Sequence, residues 1–458
     1  MKSKKTSSWT RIALASFLAA ACPVLTSAGE AGKTPVAVES ITWQKPAWLS
    51  ELSLGIRESY DSNIFLAGAE IPTTPSGAVV GARNVSSWIT TVSPKIGVNF
   101  VPLLGTQDLL QVLSIGYAPD FVIFANESSE TYASHRLTTS IKTQIEPVTL
   151  SLDNAFTYID GSREGVIYPD GASSFTNGTV RERRDQWQDR LKAFAKIDLG
   201  PVFVRPVVSL TYYDLATSFK NIPGYTNYVD RYDLNGGADL GYNVIKNLAL
   251  LLGYRYGHQY QEALPVWLDA RQFTVTNDYQ RVLFGVEGKV FSWLKLEGYV
   301  GPEFKSYTGD RPSEGGDPGR LIPKNPTDVY GEATVTVTPT ASDALVVKYK
   351  RWNWVSSTGR NAYLETVYDA SYRHQLTDAL QLELGARAAQ ADYNPSALRN
   401  DWDYTFSAGL RYAVSANLSV DVSYAYDIGR DDQDAGVPAG TWREFYRNVV
   451  STGMQWKF

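Results

Sequence analysis

The chain has 458 residues, with 43 Lys+Arg against 48 Asp+Glu, three His, one Cys and two Met. A hydrophobic content of 43% beside 20% charge is globular and excludes wholesale disorder. One Cys excludes a disulfide scaffold and a cysteine-based zinc or iron–sulfur centre, and the acidic balance argues against nucleic-acid binding.

Lys2, Lys4, Lys5 and Arg11 precede an apolar run that closes on Thr26-Ser27-Ala28. This is the pattern of a secretory signal peptide over 1–28, cut after Ala28, with lipoprotein processing at Cys22 as the rival. Removing it leaves 39 bases against 48 acids and no cysteine. Residues 29–48 read as a short periplasmic segment, and 49–458 as one β-domain.

No later stretch holds 18 consecutive apolar residues, so transmembrane helices are excluded. The period is two instead. From Leu380, the residues Leu382, Leu384, Ala386 and Ala388 face one way and Gln381, Glu383, Gly385 and Arg387 the other. Tyr404, Phe406, Leu410 and Tyr412 alternate with Thr405, Ser407, Gly409 and Arg411, and Leu418 to Ile428 repeats the pattern. A secreted soluble sandwich alternates too. Here, however, the strands are long, carry charges in mid-strand on the polar face, and finish the apolar face in Tyr, Trp or Phe. The reading is an all-β transmembrane antiparallel barrel.

Short connections fall at Pro102–Asp108, Pro147, Gly200-Pro201, Ile245–Asn247, Ser292-Trp293, Thr340–Asp343, Leu376–Asp378 and Ser415–Asn417. Longer polar stretches lie between them, which makes 18 strands with both ends on the periplasmic side. Sixteen stays open, because 87–124 and 200–215 alternate poorly.

Inward positions read from the alternation include Lys95, Arg136, Lys142, Arg190, Lys192, Arg231, Arg255, Arg281, Lys348, Arg387 and Arg411. Arg205, Lys350, Arg373 and Arg447 share that face, as do Asp233, Asp239, Glu287, Glu332, Glu365, Glu383, Asp421 and Asp427. Bases outnumber acids, which lowers the barrier for anions in a narrow aqueous pore. Charges paired across strands, merely solvating a wide wall, are the alternative.

The 160–186 segment, with Arg163, Glu164, Arg183 and Arg184, is a candidate constriction loop if it folds inwards, and otherwise a solvated surface loop. Asp431-Asp432-Gln433-Asp434 reads as an exposed acidic turn, and no metal site or cofactor is expected. His135, His258 and His374 satisfy no nucleophile–base arrangement, so an enzyme is not expected.

The C-terminus sets Val450, Met454, Trp456 and Phe458 on one strand face. This resembles the sorting signal read by the outer-membrane barrel-assembly machinery, with Trp456 and Phe458 carrying it. The opening Tyr60-Asp61-Ser62-Asn63-Ile64-Phe65, the phrase at 284–301 and the closing 443–458 resemble the family described as "putative β-barrel porin 2". Membership implies an outer-membrane pore in a Gram-negative-type bacterium, with some members connected to exopolysaccharide export, and identifies no solute.

Three functions follow as expectations. The first is a channel for passive diffusion of small hydrophilic solutes, with an anion preference. The second is a conduit for exported polysaccharide with periplasmic partners. The third is a structural or adhesion barrel with a blocked lumen. Expected partners are outer-membrane lipids and lipopolysaccharide, periplasmic chaperones and the assembly machinery, and small anionic solutes; a homo-oligomer stays open.

Overall fold

A computed structural model describes residues 45–66, 84–162, 184–215, 230–261, 275–308, 327–355, 362–392, 399–433 and 444–458. The expected signal peptide and most of the 29–48 segment lie outside these residues, as do Arg163, Glu164 and Arg183.

Eighteen strands follow one another: β1 (Leu49–Asp61), β2 (Ser87–Asn99), β3 (Leu110–Phe124), β4 (Tyr132–Ile145), β5 (Val148–Ser162) and β6 (Arg184–Leu199). β7 (Val202–Leu215), β8 (Arg231–Ile245), β9 (Leu248–Gln261), β10 (Val275–Phe291), β11 (Leu294–Thr308) and β12 (Thr327–Val337) come next. β13 (Asp343–Val355), β14 (Ala362–Gln375), β15 (Leu380–Asp392), β16 (Arg399–Ala413), β17 (Leu418–Gln433) and β18 (Phe445–Lys457) complete the series. Asp431 to Gln433 therefore belong to a paired strand rather than to an acidic turn.

Each strand pairs antiparallel with its sequence neighbours, and β1 pairs with β18, so the sheet closes. Closure satisfies every strand edge, which lipid requires. The seam is locked at both ends: the Phe458 N–H donates to Leu52 O at 2.9 Å, and the Ser62 N–H to Asn448 O at 3.0 Å. The alternatives of 16 strands and of a soluble sandwich are thereby set aside. The poorly alternating 200–215 region is β7, where Pro206 faces outwards and costs no inward packing.

The connections at one end are short. Between β2 and β3 a single helical turn, α1 (Val101–Leu104), ends on Gly105 at φ 63°, a left-handed cap that glycine adopts without strain. The outer face is apolar along each strand. At the short-turn end it finishes in Tyr242, Phe291, Trp293, Tyr412, Trp456 and Phe458, and at the other end in Trp88, Trp187, Tyr256 and Tyr446, all exposed. Such paired belts mark the two interfaces of a bilayer. The architecture is that of an outer-membrane barrel.

Candidate functional site: the lumen and its leaning hairpin

Over most of its length β13 is an ordinary wall strand, paired with β12 from Leu345 up to Arg351. There the pairing stops. Thr327 to Tyr330 of β12 pair with β11 only, while β13 continues, paired with β14, to Val355. Above Arg351 the hairpin leaves the wall and leans into the lumen.

Contacts on both faces of β13 establish this. Asn353 lies on the face that points to lipid lower down the strand. Yet its side-chain amide donates to Glu303 (2.8 Å) and Asp328 (3.2 Å), on the inner faces of β11 and β12, and its carbonyl accepts from Gln259 of β9 (3.0 Å). On the opposite face, the Trp354 ring meets Tyr213 of β7 at 6.0 Å. Eighteen strands ~4.8 Å apart and tilted ~40° enclose a ring about 35 Å across, so strands six apart stand roughly 30 Å from each other. Two aromatic side chains do not bridge that; the lean does.

Tyr213, Leu215, Trp354, Tyr363 and Ala391 form a buried apolar cluster, with Trp352 packed against it. It joins β7 to β13, β14 and β15 across the bore. The Arg231 guanidinium is stacked between Tyr213 (4.9 Å) and Trp354 (5.1 Å). Aromatic and cationic groups supply adhesion where the hairpin has no strand partner.

Below and beside the hairpin, charges line the inner wall in connected groups. Arg205 donates from Nε to Asp239 (3.0 Å), from Nη1 to Glu287 (2.7 Å) and from Nη2 to the Tyr299 hydroxyl (2.7 Å). Tyr299 in turn donates to Asp239 (2.9 Å), and Arg255 closes the group on Asp239 Oδ1 (2.7 Å). Asp239 has no exposed side-chain surface, so two arginines and a phenol replace its water. Phe203 lies over Gly241, where a Cβ would collide with the ring.

Higher on the same wall, Arg281 is ion-paired with Glu303 and stacked on Tyr279 (4.1 Å) and Tyr330 (4.0 Å), and Lys305 is paired with Asp328. Asp233 accepts from the Tyr279 hydroxyl (2.8 Å), Gln259 (2.7 Å) and Asn235 (3.1 Å).

Other groups lie near the closing seam. Arg447 pairs with Asp61 (2.6 Å) and Asp427 (3.7 Å), and Arg57 with Asp421 (2.9 Å). Lys95 pairs with Glu51 (2.7 Å), Arg136 with Asp120 (2.6 Å), and Arg411 and Arg373 approach Glu383. Lys348 stands opposite Asp369, Glu332 opposite Lys350, and Lys142 opposite Ser151. Arg387 keeps Nε and Nη1 buried without an acceptor among the described residues.

The structure thus brings many of the read positions into ion pairs rather than into an open ring of bases. Glu51, Asp61, Asp120, Glu303 and Asp328 were missed as inward acids, and Arg57 and Lys305 as inward bases. Glu303 and Lys305 continue the parity of Lys295 and Glu297, which Pro302 obscures in the sequence. Of the candidate constriction loop only Arg184 is described, as the first residue of β6.

The histidines lie away from the lumen groups. His135 stacks on Tyr117 and Tyr158 on the outer face. His258 pairs with Asp278 (2.7 Å), which also accepts from Tyr256 (3.1 Å), and His374 pairs with Asp343 (2.8 Å). Among the described residues no cluster of His, Cys, Asp and Glu suits a metal ion.

Comparison with solved structures gives large outer-membrane proteins at low identity. Pseudomonas aeruginosa OpdK with vanillate is 10% identical, with 89% of this chain and 98% of that chain covered at a TM-score of 0.42. P. aeruginosa OccK2 (OpdF) in complex with glucuronate is 11% identical over 89% and 98%, at 0.40. The FrpB iron transporter of Neisseria meningitidis is 8% identical over 89% and 81%, at 0.39. No curated protein compared with the chain matches it. Residues 341–458, from the leaning hairpin to the terminal Phe458, match the family model described as "Putative beta-barrel porin 2", the family that the opening and closing motifs resemble.

Proposed function

We propose that the protein is an outer-membrane channel for passive diffusion of small hydrophilic solutes, with a modest preference for anions. The observation that carries this reading is the division of faces over eighteen strands, apolar and aromatic outside, charged and small-polar inside. Barrels of 16–18 strands are wide enough to hold water, and solutes cross such an interior down their own gradient.

Selection then comes from width and field. The leaning hairpin supplies the width and the lining charges supply the field. The inward acids that the alternation missed reduce the excess of bases, which is why the preference is modest. A braced, charged bore suits small solutes better than an exported sugar polymer, which needs a wide and smooth passage. Delivery by periplasmic chaperones and the barrel-assembly machinery, through Trp456 and Phe458, belongs to the same reading.

The test is single-channel recording of the refolded protein in a planar bilayer. Stable stepwise currents with a reversal potential on the anion side of zero are expected in a salt gradient. A cation-side potential rejects the preference, and silence from folded barrels rejects the open channel.

A further inference from the structure

We propose that the wall carries a side seam at outer-leaflet depth, between β12 and β13, that takes up an uncharged single-chain amphiphile from the bilayer. The chain lies between the two strands and the hydroxylated head points to the lumen. Passage of that molecule between lumen and leaflet rests on the channel reading; the seam itself rests on strand pairing alone.

The seam begins where the β12–β13 ladder ends, at Gly331 and Arg351. Beyond it, Thr327 to Tyr330 keep only β11, and Trp352 to Val355 keep only β14. Among the described residues no backbone hydrogen bond joins the two edges. Four residues on each side are therefore parted, which is about 13 Å of strand.

Its depth follows from the strand. Arg351 stands eight residues above Asp343, the foot of β13. A strand tilted ~40° climbs about 2.5 Å per residue, so the fork opens about 20 Å above the short-turn end. The apolar band of such barrels is about 25 Å tall, which sets the fork in its outer half. The neighbouring surface agrees: Val329 is 55% exposed on the outer face, with Val300 and Phe304 beside it on β11.

Lipid tolerates an open strand edge only where its N–H and C=O groups meet a partner. Acyl chains supply none, whereas hydroxyls both donate and accept. The inner side of the seam calls for the same chemistry. Glu303 is paired with Arg281 and Asp328 with Lys305, and Arg351 acts on Asp328 across the fork. With each acid answered by a base, a net charge gains little there.

Neutral hydrogen-bonding groups stand among these pairs. Gln259 donates to the Asn353 carbonyl (3.0 Å), and Asn277 donates to Gln259 (3.0 Å). Asn277 has no exposed surface, and its Oδ1 has no donor among the described residues. This acceptor lies two hydrogen bonds from Asn353 and suits a hydroxyl.

The probe is dodecyl glucoside brominated along its chain, added below its micellar concentration to the refolded barrel in lipid bilayers. Glucose and dodecanoate are the controls for chain and charge. Trp352 is the first residue of β13 beyond the fork, and its fluorescence is the difference between the protein and Trp352→Phe. Saturable quenching of Trp352 is expected, with a fall in chloride current. Glucose should produce neither, and dodecanoate should compete about tenfold more weakly than the unbrominated glucoside. Val329→Cys, in a chain refolded from residue 29 and so without another cysteine, supplies the variant. Capping it with a bulky maleimide after folding should weaken quenching and block about tenfold. Quenching that capping removes, without any current, supports the seam and overturns the channel reading. Currents that the probe leaves unchanged, with no Trp352 quenching, overturn the seam and leave the channel standing. Quenching unchanged by capping, or block matched by glucose, also overturns the seam, and equal competition by dodecanoate overturns the uncharged head.

Discussion

Trp354→Ala should loosen the inward end of the β13–β14 hairpin without unfolding the barrel. Trp354 is 7% exposed and packs on Tyr213, Tyr363 and Ala391. Truncating so buried a tryptophan costs about 3–5 kcal/mol, and loss of one face of the Arg231 stack adds about 1 kcal/mol. What still ties the hairpin inwards is the remaining packing of Trp352 and Tyr363 and the hydrogen-bonding of Asn353, with Gln259, Glu303 and Asp328. Each of these bonds contributes about 1 kcal/mol net, and somewhat more to a charged acceptor.

The ladder below Arg351 is untouched, so the leaning position and a wall-seated one, with β13 paired to Thr327–Tyr330 of β12, come within a few kcal/mol of each other. Since 1.4 kcal/mol is a factor of about ten, both become populated enough to see. Single-channel recording should then show a second, higher conductance level in Trp354→Ala, with gel mobility before and after heating and circular dichroism confirming a folded barrel. A folded variant with wild-type conductance and no added level would refute the idea that this hairpin narrows the path.

Three further outcomes follow from the same geometry. Arg205→Ala removes one of the two arginines on Asp239, a carboxylate without exposed surface, and should destabilise the barrel by about 3–5 kcal/mol, read as a lower urea midpoint. Gly453 stands between Arg57 and Asp421 at the closing seam, and a Cβ there would come 2.8 Å from an Asp421 oxygen. Gly453→Val should therefore cost about 1–3 kcal/mol by overpacking, and a wild-type unfolding midpoint would contradict this. Phe458→Ala should lower the amount of heat-modifiable barrel recovered from outer membranes while leaving refolding in detergent unchanged; an equal loss in both would assign Phe458 a structural role instead.

The fold was largely legible because the period of two is a local property. Each of the eight short connections named in the sequence marks a turn between consecutive strands, with Ile245 and Asp343 as strand-end residues, since Pro147, Gly200-Pro201 and Ser292-Trp293 interrupt alternation wherever they occur. The lean was not legible, for the opposite reason. The alternation of β13 runs on undisturbed through Lys350, Trp352 and Trp354, and what draws its end inwards is Tyr213 on a strand far away in the chain. One signal was available: Trp352 and Trp354 stand on the charged face, where a membrane belt has no use for them. Part of the lining escaped the sequence because parity is followed strand by strand without pairing. Asp120 and Glu51 emerge as lining residues only once Arg136 and Lys95 are seen to reach them.

The apolar cluster across the bore also has a mechanical consequence. A closed sheet resists stretching around its circumference, because that breaks ladder hydrogen bonds, but it yields readily to flattening, which only changes the angle between neighbouring strands. Tyr213, Trp354, Tyr363 and Ala391 act as a strut between distant parts of that circumference. Squeezing the barrel along this line means compressing close-packed side chains, and widening it means pulling them apart. The distance between these parts of the wall is therefore held by side-chain packing and not by the lateral pressure of the surrounding bilayer.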